Sequence, residues 1–390
     1  MSDLRRITTI NIGTNTFYNN KTIVNVDCNY TPWQNNSMAY AFNSCSNLKS
    51  VSNINNNITN MSYTFLHCSN LTNIPSIPNS VNTMIGTFYN CFNLTTPPII
   101  PNSVTYMNST FYNCSSLVNA PSIPNSVTIM EDTFRNCSNL INAPEIPNSI
   151  NSLARTFYGC SSLVNAPIIP NSVIYMYDTF CNCSNLINAP EIPNSVVNMR
   201  YTFANCSNLQ VAPNIPNSVT YMESTFQGCS NLINAPEIPN NITSLATTFY
   251  GCSNLQTLPT VIPNSVTNMY LCFYNCTNIT GNCFIYSENI RDAYQMFYYT
   301  NSSIPKNIYI PFQNNGVNTK TYNTFTSAGY KTDGTVNGVY LKDLNESPTP
   351  PTPSDEIDVT DYTYTQDENG VVTLSNAPID ENGEVIFPNI

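Results

Sequence analysis

The stretch SVTIMEDTFRNCSNLINAPEIPN, Ser126 to Asn148, is one copy of a 23-residue unit that fills most of the chain. Phe42, Phe65, Phe88, Phe111, Phe134, Phe157, Phe180, Phe203, Phe226 and Phe249 stand 23 residues apart, and Phe273 and Phe297 follow at steps of 24. Three residues after each Phe from Phe42 to Phe273 comes a Cys. Self-similarity at this period is the signature of a solenoid, in which each unit buries its apolar side only against its neighbours. The fold class expected is therefore a repeat solenoid of about 12 right-handed turns, with short parallel β ladders.

Within the unit the apolar positions are Val127, Met130, Phe134, Cys137, Leu140, Ala143 and Ile146. Met130, Phe134 and Cys137 have the i, i+4, i+7 spacing of one helical face, so TFRNC is expected to form a short helical turn. Val127 to Met130 and Leu140 to Ala143 are the expected strands. Pro144 and Pro147 cannot donate to a ladder and belong where the coil bends. The Asn column Asn79, Asn102, Asn125 and onward is expected to stack as an amide ladder.

Residues 1–37, with Phe17 in an irregular turn and the single Trp33, suit an N-terminal cap, since an end turn has one unpartnered face. Residues 38–299 are the array. Residues 300–345 break the period but keep strand-like runs in NIYIP and GVYLKDL, and suit a C-terminal cap. Residues 346–355 (ESPTPPTPSD) form a Pro-rich linker. Residues 356–390 read as a small acidic β module, with strands flanking Glu368-Asn369-Gly370 and another in GEVIFPNI, that docks or trimerises.

The net charge of −11 follows from 12 Lys and Arg against 23 Asp and Glu. Residues 1–342 hold 12 of each sign and residues 343–390 the other 11 acids, so the excess lies entirely in the tail. With no basic patch, nucleic acid is not an expected partner. No apolar run approaches the roughly 20 residues of a membrane span, and the N-terminus lacks the apolar run of a secretory signal. Of the 15 cysteines, eleven form the repeat column, where parallel side-chain vectors make poor disulfide geometry. They are expected to be reduced and buried. Cys181 and Cys272, which flank their Phe residues, are expected to point outward.

Chemistry is sparse. His67 is the only His, so no Ser-His or Cys-His pair exists elsewhere in the chain, and His67 itself suits an exposed loop rather than a catalytic role. Glu145, Glu191 and Glu237 recur every 46 residues, about 9–10 Å apart on alternate turns, too far to share an ion. No cofactor, metal or enzymatic activity is expected. The columns that vary are the candidate ligand-binding rows: Tyr89, Tyr112, Tyr158, Tyr250 and Tyr274 after the Phe, and Tyr106, Tyr175 and Tyr221 before the Met. Tyrosine rows beside Asn and Ser suit recognition of a protein or glycan surface, because Tyr gives contact area at low entropy cost.

The phrases F-x-x-C-S-x-L, I-P-N-S-V and M-x-x-T-F, as in MESTFQGCSNL (Met222 to Leu232) and MNSTFYNCSSL (Met107 to Leu117), resemble the BspA-type leucine-rich repeat, in its Met-x-x-x-Phe-x-x-Cys variant. The resemblance covers roughly residues 38–300 and implies a non-enzymatic solenoid used in adhesion or partner recognition. It carries no catalytic residues. Two departures stand out: the family's surface members carry a signal and an anchor, neither of which is evident here, and Ala-Pro-x-Ile-Pro is rich in proline for a concave strand. Near-copies such as APEIPNSINSLARTFYGCS and APEIPNNITSLATTFYGCS, 92 residues apart, point to duplicated four-turn blocks. The expected role is a bacteriophage virion-associated fibre or decoration protein for host or mucosal attachment, made in the host cytoplasm and located on the virion. The other reading is a cellular leucine-rich repeat adhesin or an intracellular protein-interaction scaffold.

Overall fold

The structure, a computed structural model, describes residues 5–6, 14–28, 34–74, 76–346, 363–366 and 372–375. The chain divides into two compact units, 1–346 and 347–390.

Unit 1 is a stack of coils joined edge to edge. Its N-terminal end is a parallel sheet of β1 (Arg5–Arg6), β2 (Asn25–Asp27) and β3 (Ser50–Ser52). Through the array the ladders narrow to single parallel bridges in two columns. One runs through the residue before the Met, as in Thr83, Tyr106 and Ile129. The other runs through the residue before the Ala-Pro, as in Asn119, Asn142, Asn165 and Asn188. The prolines that follow the second column, Pro144 and Pro147 after Asn142, cannot donate to a ladder and end the pairing on that side.

The expected helical turn does not form. In the Met84 turn the N–H groups of Met84, Gly86, Phe88 and Asn90 donate to carbonyls one coil further on, at Tyr106, Asn108, Thr110 and Tyr112. The intervening N–H groups of Thr87, Tyr89 and Cys91 donate three residues back. An α-helix needs every N–H for its own i−4 carbonyl; here alternate ones are spent on the next coil. The backbone switches hand twice per turn, at the second residue after the Met (Asp132, φ 54°) and the second after the Phe (Asn136, φ 58°).

The core is a set of columns. Val, Met, Phe, Cys and Leu of successive turns are fully buried, and Ala143 and Ile146 pack beside them partly covered. The Phe rings stack from Phe17 to Phe297; Phe134 and Phe157, for example, lie 5.8 Å apart with planes 3° off parallel. A buried polar column, the Thr before each Phe from Phe65 to Phe249, was not evident from the sequence. Thr133 Oγ1 donates to the Met107 and Met130 carbonyls at 2.8 and 2.6 Å, so its burial leaves no unmet hydrogen bond.

The cysteine column is reduced and buried, as expected. Each thiol donates to the Phe carbonyl of the preceding turn, as from Cys114 Sγ to Phe88 O at 3.1 Å. Cys181 and Cys272 are corrections: both are buried, Cys272 because it takes the place of the Thr column. The Asn79 column is also a correction. It is exposed, with no amide bonds along it. The residues after it, from Ser80 to Ser218, instead donate to the Val or Ile carbonyl of the preceding turn, as from Ser126 Oγ to Val104 O at 2.7 Å. Amide ladders do run elsewhere, through Asn90 and Asn113 (2.7 Å) and through Asn231 and Asn254 (3.1 Å).

Burial pushes the Cys28 and Cys181 thiols up to about 12 and Cys45 to about 11, with the inner column higher still. A raised folded-state value stabilises the fold below the unfolded value, and that contribution disappears as pH climbs towards the folded one. Stability is expected to fall between about pH 9 and 12. At pH 8 iodoacetamide is expected to label no cysteine of the described native unit and all of them in guanidinium. Rapid labelling of the native chain would contradict this packing.

The C-terminal end widens into a parallel sheet in the order β4 (Val261–Ile262), β5 (Gly281–Ile285), β6 (Lys306–Ile310) and β9 (Val339–Asp343). A small hairpin, β7 (Gln313–Asn314) with β8 (Val317–Asn318), precedes helix α1 (Lys320–Ser327). Thr319 caps the helix by accepting from the Tyr322 N–H at 3.1 Å. The helix covers the last coil: Thr321 Oγ1 accepts from Ile290 N, and the Tyr330 hydroxyl accepts from Phe297 N at 2.8 Å, groups that would otherwise face a further turn. In unit 2, β10 (Thr363–Gln366) pairs antiparallel with β11 (Val372–Ser375), and the expected turn at Glu368-Asn369-Gly370 lies outside the described residues. Trp33, residues 347–355 of the linker and the GEVIFPNI strand lie outside the described residues.

Candidate functional site

Four columns on successive turns of the array carry its surface contacts, in three clusters: the residue before the Met, the first and second after it, and the one after the Phe. Near its middle Tyr89 and Tyr112 stack face to face at 4.2 Å and 4°. The Arg135 guanidinium continues the stack, 5.5 Å from the Tyr112 ring centre and 4.4 Å from that of Tyr158. Asp132 lies between Arg135 (3.1 Å) and Arg155 (3.0 Å), and Arg155 covers the Tyr177 ring at 5.2 Å. The Asp132 carboxylate holds the Arg155 guanidinium well above its ordinary value. Two turns on, Arg200 makes a two-pronged pair with Glu223 (2.7 and 3.0 Å) and lies 4.5 Å over the Tyr221 ring. At the far end Tyr250, Tyr274 and Tyr298 stack at 4.8 and 5.9 Å.

The two expected tyrosine rows differ in character. Tyr106, Tyr175 and Tyr221 stand exposed in a bridge column, at 43 to 44%. Tyr89, Tyr112, Tyr158, Tyr250 and Tyr274 are half-buried by stacking on one another or on Arg135, so they present ring edges and hydroxyls. The clusters tie Tyr221, Tyr112 and Tyr158 to the charged residues between the rows; they give no direct contact from Tyr106 or Tyr175. Missed from the sequence were the columns just after the Met, with Tyr40, Tyr63, Tyr177, Tyr201, Arg155 and Arg200. Their variability from turn to turn was the available signal.

The second residue after the Met is left-handed in every turn, yet it carries Tyr63 (φ 54°), Arg155 (φ 52°), Tyr201 (φ 54°) and Leu271 (φ 51°). Asn or Gly fills most of the other left-handed column, where they sit at little steric cost. A bulky side chain there costs of order 1–3 kcal/mol.

Arg135, Arg155 and Arg200 are offset by Asp132, Asp178 and Glu223, so the strip offers no field for a polyanion. His67 is exposed and pairs with Asn90 at 2.9 Å, while burial beside Tyr112 pushes the Tyr89 phenol up to about 12. Glu145, Glu191 and Glu237 are exposed. Among the described residues no group of His, Cys, Asp or Glu has metal-ligand geometry, and no helix is long and apolar enough to cross a membrane. What the strip provides is contact: flat rings, fixed guanidinium planes and hydroxyls.

The BspA-type leucine-rich repeat region matches in 6 copies, over residues 5–118, 107–233 and 199–328. The chain belongs to this family. Such repeats serve protein interaction or adhesion and are typically non-enzymatic. A leucine-rich repeat protein from Bacteroides ovatus is similar in fold, with a TM-score of 0.54 at 20% identity over 82% of this chain and 87% of that one. A leucine-rich cell surface protein from Faecalibacterium prausnitzii aligns at a TM-score of 0.44 and 21% identity over 77% of this chain and 82% of its own. No curated protein matches the sequence.

Proposed function

We propose that the chain is a non-enzymatic recognition solenoid, a right-handed coil of about twelve turns, whose tyrosine and arginine strip binds a protein or glycan surface. The observation that carries this reading is the left-handed column. Bulky aromatic and charged side chains occupy positions where Asn or Gly would be less strained, and strain of this kind concentrates at binding sites. The constant core beneath supplies a rigid platform, so the side chains lose little further freedom on binding.

The carrier we propose is a bacteriophage virion, with the array as a fibre or decoration element for host or mucosal attachment. Supporting this are the duplicated four-turn blocks and an acidic tail separate from the array. In this scheme residues 1–37 and 300–345 cap the array, 346–355 link it, and 356–390 dock to the particle or trimerise. Mass spectrometry of purified virus-like particles and of washed cells from the source culture tests the location. The chain is expected in particles at fixed stoichiometry. Recovery from cells alone would overturn the virion reading and make it a cellular adhesin or scaffold.

A further inference from the structure

Where the last array coil meets the cap, a pocket of about 480 Å³ is lined by Tyr294, Gln295, Tyr298, Ser327, Ala328, Tyr330, Thr335, Val336 and Asn337. Its volume falls in the range of small-ligand clefts. Tyr294 and Tyr298 expose 54% and 40% of their surface, yet both rings are braced. Tyr270 stacks on Tyr294 at 5.9 Å, and Tyr274 and Tyr299 hold Tyr298 at 5.9 and 4.3 Å. The lining also includes the buried ring of Tyr330 and the part-buried Ala328 and Val336.

The polar groups at the pocket are unspent. Among the described residues the side chains of Gln295, Ser327 and Asn337 have no hydrogen-bond partner, nor have the Tyr294 and Tyr298 hydroxyls. An amide offers both donors and an acceptor, and a hydroxyl offers either. The lining holds no carboxylate, ammonium or guanidinium. A ligand matched to these walls is uncharged, with a flat C–H face for the rings and a rim of hydroxyls for the amides. A pyranose ring has that construction. The larger groove of about 570 Å³ around Ile168 is walled by Pro167, Pro170, Pro190 and Pro193 with Glu191, and has no aromatic face.

We propose that this pocket is a subsite for one neutral sugar residue, stacked on Tyr294 and Tyr298 and hydrogen-bonded by Gln295 and Asn337. The inference rests on the recognition reading of the strip, whose C-terminal end it forms, and it names the glycan class that end takes. The probes are methyl β-glucoside, methyl β-galactoside, methyl α-mannoside and N-acetylglucosamine oligomers, titrated into the intact chain by calorimetry and saturation-transfer NMR. At least one is expected to bind. Tyr294→Ala and Tyr298→Ala should each weaken it about tenfold, the worth of one stacking contact. Tyr298→Phe should retain most of the binding, Ile168→Asn on the proline ridge should leave it unchanged, and all variants should unfold at the native midpoint. Absence of binding by the whole panel would overturn the proposal. So would binding insensitive to Tyr298→Ala, or occupation by a proline-rich peptide in place of sugar. If sugars fail while strip variants still abolish surface attachment, the subsite alone is wrong; if sugar binding follows Tyr298 while strip variants leave attachment intact, the strip reading is wrong.

Discussion

Phe157→Ala is expected to destabilise the array by about 4 kcal/mol and to split its unfolding into two transitions. The ring is fully buried in mid-array, 5.8 Å from Phe134 and 5.7 Å from Phe180, parallel to both within 3°. Its removal loses the transfer term of a phenyl group and leaves a cavity whose walls are held by their own coils; truncations of this kind cost about 3–5 kcal/mol. Because each coil touches only its neighbours, the loss falls on two interfaces and weakens the coupling between the two sides. Guanidinium unfolding followed by circular dichroism should then show two steps where the native chain shows one. Phe17→Ala, at a half-buried end position, should only fray the terminus. A single unshifted transition for Phe157→Ala would mean that the Phe column does not carry the core.

Lys306→Met is expected to cost about 3 kcal/mol and to loosen the C-terminal sheet first. Lys306 is fully buried in β6, and its Nζ donates to the carbonyls of Asn301 (2.8 Å), Ile304 (2.7 Å) and Asn337 (3.0 Å). No carboxylate is among those partners. Met matches the length of the chain but leaves these carbonyls without their ammonium, and an unmet buried acceptor costs about 1–3 kcal/mol. Burial pushes the Lys306 ammonium down to about 8 from its usual 10.5. Between those values the unfolded chain holds more protons than the folded one, so this residue's contribution makes stability rise with pH from about 8 to 10.5. That slope opposes the alkaline loss from the thiols, and Lys306→Met should abolish it. Hydrogen exchange of the β6 and β9 amides gives the local readout. Unchanged protection would show that the ammonium does not hold the sheet together.

The buried columns were legible because apolar residues at a fixed period state their own packing: Phe134, Cys137 and Leu140 point inward for the same reason in every turn. Two strand-like runs, KNIYI and VYLKD, were legible as well and form β6 and β9. Polar residues in the core were not. Thr133 and Lys306 look like surface residues until the carbonyls of neighbouring coils are in place to accept from them. The helical reading of TFRNC failed because spacing reports which side chains share a face, not which carbonyl each N–H finds. Left-handed Asp132 and Asn136 send alternate amides to the next coil. The strip was half legible. Rows of tyrosine stood out, whereas Asp132 acquires meaning only when it meets Arg135 of its own turn at 3.1 Å and Arg155 of the next at 3.0 Å.

The central claim is that recognition lies on the tyrosine and arginine strip. The direct measurement is surface plasmon resonance of the intact chain on immobilised mucin and on envelopes of host cells from the source culture. The chain is compared with a Tyr112→Ala, Arg135→Ala, Tyr158→Ala variant and with an Ile99→Asn, Ile168→Asn variant of the proline ridge, where both isoleucines are 90% exposed. Loss of at least about tenfold in affinity is predicted for the strip variant, the scale of removing central aromatic and Arg contacts, with the ridge variant unchanged. Binding that survives the strip substitutions and disappears with the ridge ones would contradict the account.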